Sequence, residues 1–292
     1  MKIGILTRNE DAWCSTQLRE SLNRHNVTPL SFNFFRLTAR VGIKPAVSTG
    51  ELDLLSDLNA LIIRPIGLGS LEEIIFRMDL LHRLERLGLY ILNPPSAIER
   101  SVDKFYTLTL LGEAGLPVPH TIVTESAGEA LEAFEELGGD IVLKPLFGSR
   151  GIGSTRIFDR DIAERIFRSI EFRHGVLYLQ KFVSHGTSDI RVFTLGDRVL
   201  VSMRRVADSW KTNVSQGAKP EPLQLSEEME DLAVKVAEAI GCEVAGVDIL
   251  ESKEGLMIIE INSQPGWRGL QSVTKINIAD EIVRYILKRI KK

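Results

Sequence analysis

The chain has 292 residues, of which 44% are hydrophobic and 26% are charged, a composition typical of a soluble globular protein with two or three cores. The 36 basic and 39 acidic residues give a net charge of −3, so no overall positive field favours nucleic-acid binding. Two cysteines argue against a disulfide framework, and the sequence shows neither an apolar run of membrane-spanning length nor a signal-peptide pattern. We therefore expect a cytoplasmic protein with no nucleic-acid or membrane partner.

The first hundred residues alternate between short apolar strands and amphipathic helices. Strands are predicted at Lys2–Leu6, Ala60–Arg64 and Tyr90–Leu92, with a helix over Leu71–Leu87 before the last of them. Such alternation predicts a small parallel sheet with functional loops at the carboxyl ends of its strands. Arg64 lies at such an end, where it either holds an anionic substrate or pairs with a neighbouring acid.

From about residue 96 the pattern changes to α+β. The predicted elements are a helix over Val102–Glu113, a strand at His120–Val123, a helix over Ala127–Leu137, strands at Ile141–Lys144 and Thr155–Phe158, a helix over Ile162–Ile170 and a strand at Val176–Val183. Strands at Ile190–Leu195 and Val199–Arg204, an irregular loop to about Leu225, a helix over Ser226–Ile240, a strand pair within 246–262 and a helix from Ile278 follow.

The glycine run G-S-R-G-I-G, residues 148–153, lies between two predicted strands. A P-loop or a dinucleotide-binding loop needs a helix after its glycines, so this run is interpreted as a hairpin tip. The backbone N–H groups of such a tip can close over anionic oxygens, although many ordinary hairpins also end in glycines. Lys144, directly before the loop, and Lys104, at the start of a helix, would add cations beside a bound phosphate.

The strand pair within 246–262 carries acids where alternation predicts apolar residues. Along M-I-I-E-I-N, strand periodicity places Ile258, Glu260 and Asn262 on one face, and Asp248 on the neighbouring strand can join them. Buried carboxylates need cations, and oxygen ligands without Cys or His favour Mg²⁺. The alternative is a pair of solvated acids at a strand end.

The order of these motifs resembles the ATP-grasp superfamily and, within it, the RimK-type carboxylate–amine ligases. The resemblance covers nearly the whole chain and rests on D-K at 103–104, L-K-P at 143–145, Q-K-F-V at 180–183, S-D-I-R at 188–191, A-G-V-D-I-L at 245–250 and E-I-N-S-Q-P-G-W at 260–267. It implies an ATP-grasp fold of mixed α/β and α+β class. The expected domains are an α/β pre-grasp domain with a parallel sheet (1–97), a lobe with the glycine loop (98–183) and a lobe with the metal and catalytic residues (184–292).

Carried over residue by residue, the resemblance implies an ATP site. Its members are Lys104, Lys144, Gly148, Ser149, Gly151, Gly153, Gln180, Lys181, Phe182, Asp189, Lys211 and Asn213. The lysines and glycines would contact the phosphates, residues 180–182 would form the hinge against adenine, and Asp189 would hold the ribose or a hinge partner. The hinge commonly reads Q-E in the family, whereas here it is Q-K, which is harmless if only backbone atoms contact adenine.

The resemblance also implies metal ligands and a catalytic arginine. Asp248, Glu260 and Asn262 would hold Mg²⁺ or Mn²⁺, with two ions expected. Either Arg204 or Arg205 would stabilise the charge of an acyl phosphate and of the tetrahedral intermediate, and the sequence leaves that choice open.

Four stretches are most similar to the branch of the family that adds glutamate to tetrahydromethanopterin. They are W-K-T-N-V-S-Q-G at 210–217, N-P-P at 93–95, L-K-P-L-F-G at 143–148 and Q-P-G-W at 264–267. The resemblance implies an ATP-dependent ligase for L-glutamate and a carboxylate acceptor, with a pterin coenzyme favoured, and a homo-oligomer. A deazaflavin coenzyme, an amino-group carrier protein or a ribosomal protein tail are alternative acceptors, and a nucleotide-binding relic without catalysis is the rival from a different class. Trp210 either stacks on a flat ring such as a pterin or is an ordinary packed loop residue.

Overall fold

The N-terminal part of the chain folds into a parallel sheet with a small antiparallel sheet beside it. In the computed structural model, which describes residues 1–148, 151–214 and 217–291, its strands are β1 (Lys2–Leu6), β2 (Thr28–Phe32), β3 (Leu37–Ala39), β4 (Val47–Thr49), β5 (Leu52–Asp53), β6 (Ala60–Ile63) and β7 (Tyr90–Leu92). The parallel sheet has the order β2-β1-β6-β7, and β3, β4 and β5 form the small sheet. The predicted parallel sheet is confirmed, whereas β2 and the small sheet carried no predicted strand.

Four α-helices and one short 3₁₀ helix, at Phe34–Arg36, accompany these strands. The α-helices are α1 (Trp13–Arg24), α2 (Leu54–Asp57), α3 (Leu71–Arg86) and α4 (Pro95–Val102). Helix α3 begins with a capping box, because the Ser70 hydroxyl accepts from the Glu73 N–H and the Glu73 carboxylate accepts from the Ser70 N–H. The start predicted at Leu71 is therefore confirmed.

The second sheet is antiparallel, with the order β10-β9-β11-β8. Its elements are α5 (Lys104–Glu113), β8 (Thr121–Thr124), α6 (Ala127–Glu136), β9 (Ile141–Lys144), β10 (Thr155–Ile157), α7 (Arg160–Phe172) and β11 (Leu177–Lys181). The prediction of one helix from Val102 was wrong, because Asp103 ends α4 and then caps α5 by accepting from the Tyr106 N–H at 3.0 Å. Lys104 is consequently the first residue of α5.

The third sheet is also antiparallel, with the order β14-β13-β12-β15-β16. Its elements are β12 (Ser188–Leu195), β13 (Arg198–Val206), β14 (Lys219–Pro222), α8 (Glu227–Ile240), β15 (Val244–Ser252), β16 (Gly255–Asn262), α9 (Arg268–Ser272) and α10 (Ile278–Arg289). Strand β14 lies where an irregular loop was predicted. It pairs with β13, and its proline-containing sequence K-P-E-P suits an edge strand.

Two apolar cores join the third sheet to the rest of the chain. Helix α10 packs on α1, and their core contains side chains from β1, such as Ile3, and from β13, such as Val201. Helices α5 and α8 pack together on the other face of the third sheet. The second sheet and the third sheet are thereby held side by side. Each large sheet lies within one predicted domain, while the exact boundaries remain a prediction.

Among the residues that the structure describes, no helix has the length and apolar character needed to cross a membrane.

Candidate functional site

A cleft with about 860 Å³ of empty space opens between the second and third sheets. Most of the predicted site residues line it, namely Lys104, Lys144, Gly148, Gly151, Gln180, Lys181, Phe182, Asp189, Arg205, Lys211, Asn213, Asp248 and Glu260. Ser149 lies outside the described residues, and Gly153, Arg204 and Asn262 do not line the cleft.

Two lysines converge on one side of this cleft. Lys144 Nζ donates to Gln180 Oε1 at 2.6 Å, and Lys104 Nζ donates to the Gly148 carbonyl at 2.8 Å. Burial lowers the pKa of Lys104, and it lowers the pKa of Lys144 to about 8, although the nearby Glu260 carboxylate opposes both shifts. Since both lysines donate to neutral oxygens while losing hydration, an anion placed between them would be strongly favoured.

The glycine loop closes this side of the cleft. Gly148 (φ +147°) and Gly151 (φ +68°) adopt backbone angles that side-chain-bearing residues rarely take, so the loop needs glycine at both places. The bond from Lys104 to the Gly148 carbonyl ties the start of α5 to the loop. The predicted hairpin between two strands is confirmed, since β9 and β10 are antiparallel neighbours.

The predicted hinge at the end of β11 has its polar side chains already engaged. Gln180 is buried, and besides accepting from Lys144 it donates through Nε2 to Thr121 Oγ1 at 3.1 Å. The Lys181 ammonium lies 3.4 Å from Glu254, and the Phe182 ring lies 3.5 Å from the guanidinium carbon of Arg156. The side chains of Gln180 and Lys181 thus have partners within the protein, and the contact of this segment with adenine stays a prediction.

A buried ion pair occupies the floor of the cleft. Arg205 donates from Nε to Asp189 Oδ1 at 2.6 Å and from Nη2 to Asp189 Oδ2, and Thr212 Oγ1 also donates to Asp189 Oδ2. Burial disfavours the charged guanidinium, but the carboxylates of Asp248 and Asp189 outweigh it and raise the Arg205 pKa. Both Asp189 oxygens thus have protein partners, and its predicted ribose contact stays a prediction.

The two candidate arginines lie on opposite faces of β13. Arg205 lines the cleft, whereas Arg204 pairs with Glu251 Oε2 at 2.6 Å and is cross-strand neighbour to the core residue Ile190. Adjacent strand residues must point to opposite faces, so only one of them can reach the cleft. Of the alternatives left open by the sequence, the geometry favours Arg205.

A β-bulge in β16 brings the two acids together. Asp248 pairs with Glu260 and Ile249 with Ile258, which leaves Ile259 as an extra residue. Ile259 and Glu260 both line the cleft, while Ile258 is fully buried in the core. The prediction that Ile258 shares a face with Glu260 was therefore wrong, because the bulge interrupts strict alternation.

The two carboxylates differ in how their charge is balanced. Burial and the neighbouring Asp248 carboxylate raise the pKa of Glu260, against the influence of Arg191 and the two cleft lysines. Arg191 Nε lies 3.0 Å and Arg205 Nη2 lies 3.1 Å from Asp248 Oδ1, so Asp248 has two ion-pair partners. Two adjacent buried carboxylates are oxygen donors of the kind that a hard divalent cation prefers.

Asn262, the third predicted metal ligand, lies further along β16. It pairs with Gly246, two register positions beyond the Asp248–Glu260 pair, and it does not line the cleft. Within the described residues, no group of three or more His, Cys, Asp or Glu side chains is placed to hold a metal. The two carboxylates fit a Mg²⁺-type site, and the ligand role of Asn262 stays a prediction.

The Trp210 loop covers the hinge end of the cleft. The Trp210 ring packs edge-on against Phe182, with centroids 6.0 Å apart, and its carbonyl lies 3.0 Å from His185 Nε2. The Lys211 ammonium lies 5.3 Å from the centre of the Trp210 ring. These contacts support the packed-loop alternative for Trp210 over stacking on an acceptor ring.

Arg191 is a site residue that the sequence argument missed. Besides its approach to Asp248, it donates from Nη1 to the Gly246 carbonyl at 3.2 Å, and a Cβ on Gly246 would come within 2.6 Å of that nitrogen. The signal was present in S-D-I-R, because residues two apart on a strand share a face and Asp189 was already assigned.

Comparison with known proteins agrees with this geometry. A family model described as "RimK-like ATP-grasp domain" matches residues 101–286. The tetrahydromethanopterin:alpha-L-glutamate ligase of Methanococcus maripaludis is 33% identical over 288 residues, covering 97% of both chains. The alpha-aminoadipate–LysW ligase LysX of Sulfurisphaera tokodaii is 37% identical over 215 residues, covering 71% of this chain and 75% of its own.

Among solved structures, the ATP-grasp ligase PsnB, complexed with minimal precursor, Mg and ADP, superposes with a TM-score of 0.76. The sequence identity is 20%, and the match covers 99% of this chain and 97% of that one. This likeness confirms the predicted fold class.

Proposed function

Because the chain belongs to the RimK-like ATP-grasp family, we propose that it is an ATP-dependent acid–amino-acid ligase, which joins L-glutamate to a carboxylate acceptor and forms ADP. The observation that carries this proposal is the meeting of two lysines and two strand carboxylates in one cleft beside a glycine loop. Phosphoryl transfer is catalysed largely by such positioning and charge stabilisation.

The nucleotide lies between the second and third sheets in this proposal. Lys104 and Lys144 exchange their neutral oxygen partners for phosphate oxygens, and the glycines at 148, 151 and 153 allow backbone N–H groups to approach them. Adenine lies against the hinge at 180–182, and Asp189 stands near the ribose. Lys211 and Asn213 approach the phosphates from the Trp210 loop.

Asp248, Glu260 and Asn262 would hold Mg²⁺, with Mn²⁺ as an alternative, and two ions are proposed. A cation held there would offset the negative charge of the phosphates. The buried Glu260 carboxylate supports this role, because burial and the neighbouring Asp248 raise its pKa and a cation would favour its charged form.

The proposed reaction has two steps. An oxygen of the acceptor carboxylate attacks the γ-phosphorus and ADP leaves, which gives an acyl phosphate. The unprotonated amine of glutamate then attacks the acyl carbon, phosphate leaves, and an amide remains. Arg205 is the proposed stabiliser of the negative charge, because it lines the cleft whereas Arg204 does not. Closure of the glycine and Trp210 loops would keep water from the acyl phosphate.

A pterin coenzyme is the proposed acceptor. The match to the tetrahydromethanopterin ligase runs through 97% of both chains, whereas the match to the aminoadipate ligase covers 71% of this chain. The likeness along the whole chain includes the N-terminal domain.

A homo-oligomer is proposed from the surface of α3. Large apolar side chains are exposed at its N-terminal end, with Leu68 at 88%, Leu71 at 76% and Ile75 at 51% exposure. An apolar patch of this kind is typical of an interface. Light scattering that finds only monomers would contradict it.

The decisive experiment measures product rather than nucleotide alone. The protein is incubated with ATP, Mg²⁺, L-glutamate and either tetrahydromethanopterin or a peptide ending in glutamate. We expect ADP release that requires both glutamate and the pterin, and a pterin product heavier by one or more glutamyl groups. Ligation to the peptide without the pterin would overturn the acceptor assignment. ADP release independent of glutamate would overturn the ligase itself.

A further inference from the structure

Arg64 is a buried cation at the end of β6, outside the nucleotide cleft. It is 7% exposed, donates from Nη2 to the Pro265 carbonyl at 3.0 Å, and its guanidinium carbon lies 4.8 Å from the centre of the Trp267 ring. No carboxylate in the described part of the chain comes within ion-pair distance of it, so the predicted alternative of pairing with an acid was wrong. One carbonyl and an aromatic face leave most of its donors without a partner.

The surroundings of Arg64 contain an excess of donors over acceptors. A second, smaller cavity is lined by Arg64, Asn93, Ser263, Pro265 and Trp267, among others. Trp267 is 1% exposed, and its Nε1 has no hydrogen-bond acceptor among the residues that the structure describes. A buried donor without an acceptor is unfavourable, so this pocket favours a ligand with acceptor oxygens.

The acceptor atoms nearest this pocket are already committed elsewhere. The Asn93 side chain accepts from the N–H groups of Glu243 and Val244, both at 2.8 Å, and donates to the carbonyls of Val244 and Ser263. Asn93 therefore forms part of the pocket wall. Its side-chain oxygen already accepts two hydrogen bonds from the backbone and accepts none from Arg64.

The pocket adjoins the proposed metal strands. Pro265 follows Asn262 by three residues, and a Cβ on Gly246 would lie 2.9 Å from Pro265 Cβ as well as 2.6 Å from Arg191 Nη1. The Asp248–Glu260 pair lies two register positions from Gly246. Through Pro265, Arg64 therefore contacts the loop that directly follows the strand of the proposed metal ligands.

We propose that Arg64 and the Trp267 indole N–H hold a non-reacting carboxylate of the amino-acid substrate, L-glutamate. This rests on the proposed function. The reacting carboxylate of the acceptor must lie against the γ-phosphate, near Glu260, so it is not the group at Arg64. Glutamate reacts through its amine and keeps two carboxylates for anchoring. A planar guanidinium with an adjacent N–H matches a carboxylate in geometry and charge.

The test compares Arg64→Met with Arg83→Met in the full-length protein. Arg83 is a matched control, since it also donates from Nη2 to a backbone carbonyl, that of Arg40 at 2.6 Å, in the same domain. We expect Arg64→Met to raise the KM for glutamate roughly 10- to 100-fold, with little change in the KM for ATP or for the pterin. Arg83→Met should leave all three constants unchanged. A rise confined to the KM for the pterin would assign the carboxylate to the acceptor and overturn the proposal.

Substrate analogues identify the carboxylate and separate binding from folding. Glutamine and isoglutamine each lack one of the two charges. Wild-type protein should discriminate strongly against one of them, and Arg64→Met should lose that discrimination. Trp267→Phe keeps the ring but removes the N–H, so it should raise the KM for glutamate by a smaller factor even if Arg64→Met does not fold. An unchanged KM for glutamate in either variant would overturn the proposal, whereas a wild type without glutamate-dependent turnover would overturn the proposed function instead.

Discussion

The two walls of the nucleotide cleft carry charge in different ways. On the lysine wall, Lys104 and Lys144 donate to neutral oxygens of the protein itself. On the carboxylate wall, the third sheet holds Asp189, Asp248 and Glu260 together with Arg205 and Arg191, and most of these charges are paired with one another. The charges of the carboxylate wall are therefore largely balanced by one another. The positive charges of the lysine wall would be balanced mainly by a bound anion.

This difference indicates that the charges of the third sheet are satisfied when the protein folds, whereas the two lysines are satisfied when a ligand binds. A buried charge network forms only if its members satisfy each other during folding. Lysines that lose hydration without gaining a counter-ion are instead a cost in the free protein, which a bound triphosphate would remove. Glu260 links the two walls, because it lies beside Asp248 and also influences both lysines.

The largest effect is expected from Glu260→Gln. Replacing this carboxylate with a neutral amide should lower kcat by at least about 10²–10³-fold, because the site would hold Mg²⁺ less tightly and the transferring phosphoryl group would lose the cation that offsets its charge. The stability of the free protein should stay equal or rise, since the buried charge and its repulsion from Asp248 both disappear. Steady-state kinetics and thermal unfolding measure the two effects.

Glu254→Gln is the matched control for that variant, because it removes a carboxylate from the exposed turn of the same strand pair. It should leave turnover unchanged. Wild-type turnover in Glu260→Gln would contradict the metal assignment.

The second prediction concerns Arg205, the centre of the carboxylate wall. Arg205→Met leaves Asp189 buried without its bidentate partner, which should lower the free energy of unfolding by about 3–5 kcal/mol. Urea denaturation measures this loss. If the free energy of unfolding fell by no more than the loss of an exposed ion pair would cause, the buried network would contribute little to the stability of the fold.

The third prediction uses the charge of Lys144 to test the lysine wall. In the free protein the pKa of Lys144 is lowered to about 8, so its amine is charged below that pH and neutral above it. Nucleotide affinity should therefore fall as pH rises above about 8, with the fall displaced upward because bound phosphate raises the pKa. Lys144→Met should bind ATP roughly 10- to 100-fold more weakly.

Lys144→Arg provides the comparison for the pH profile, because a guanidinium stays charged throughout that range. Its nucleotide affinity should fall less than that of wild type between pH 7 and pH 10, and any remaining fall would reflect Lys104, whose pKa is also lowered by burial. An identical decline in wild type and Lys144→Arg, measured by titration with a non-hydrolysable ATP analogue, would remove Lys144 from the phosphate site.

Motifs with strong local chemistry could be predicted from the sequence. The glycine hairpin, Lys144, and the acids of the strand pair were found because glycine, lysine and carboxylate are unusual between apolar strand residues. Elements without such unusual residues were not predicted. Strand β14 is one of them, because its place at the edge of the sheet depends on pairing with β13. The bulge at Ile259 was also invisible, since it arises from the register with β15 rather than from composition.

Contacts between residues far apart along the chain could not be predicted from the sequence either. Arg64 was singled out at a strand end, but its contacts with Pro265 and Trp267 lie some 200 residues away along the chain. Arg191 pairs with Asp248, which follows it by 57 positions. Sequence periodicity assigns such residues to a face, and only the fold decides what that face meets.

The smallest effect is expected from Arg204→Met, the neighbour of Arg205 on the opposite face of β13. Its pair with Glu251 is partly exposed, with 30% and 41% of the two side chains accessible, so losing it should cost less than about 1 kcal/mol. Its kcat and KM values should match those of wild type, because the side chain does not line the cleft. Steady-state kinetics of Arg204→Met and Arg205→Lys test which face of β13 carries the catalytic arginine. Should Arg204→Met lose turnover while Arg205→Lys keeps it, the catalytic arginine would lie on the face that packs toward α8, and the assignment of the carboxylate wall would have to be reversed.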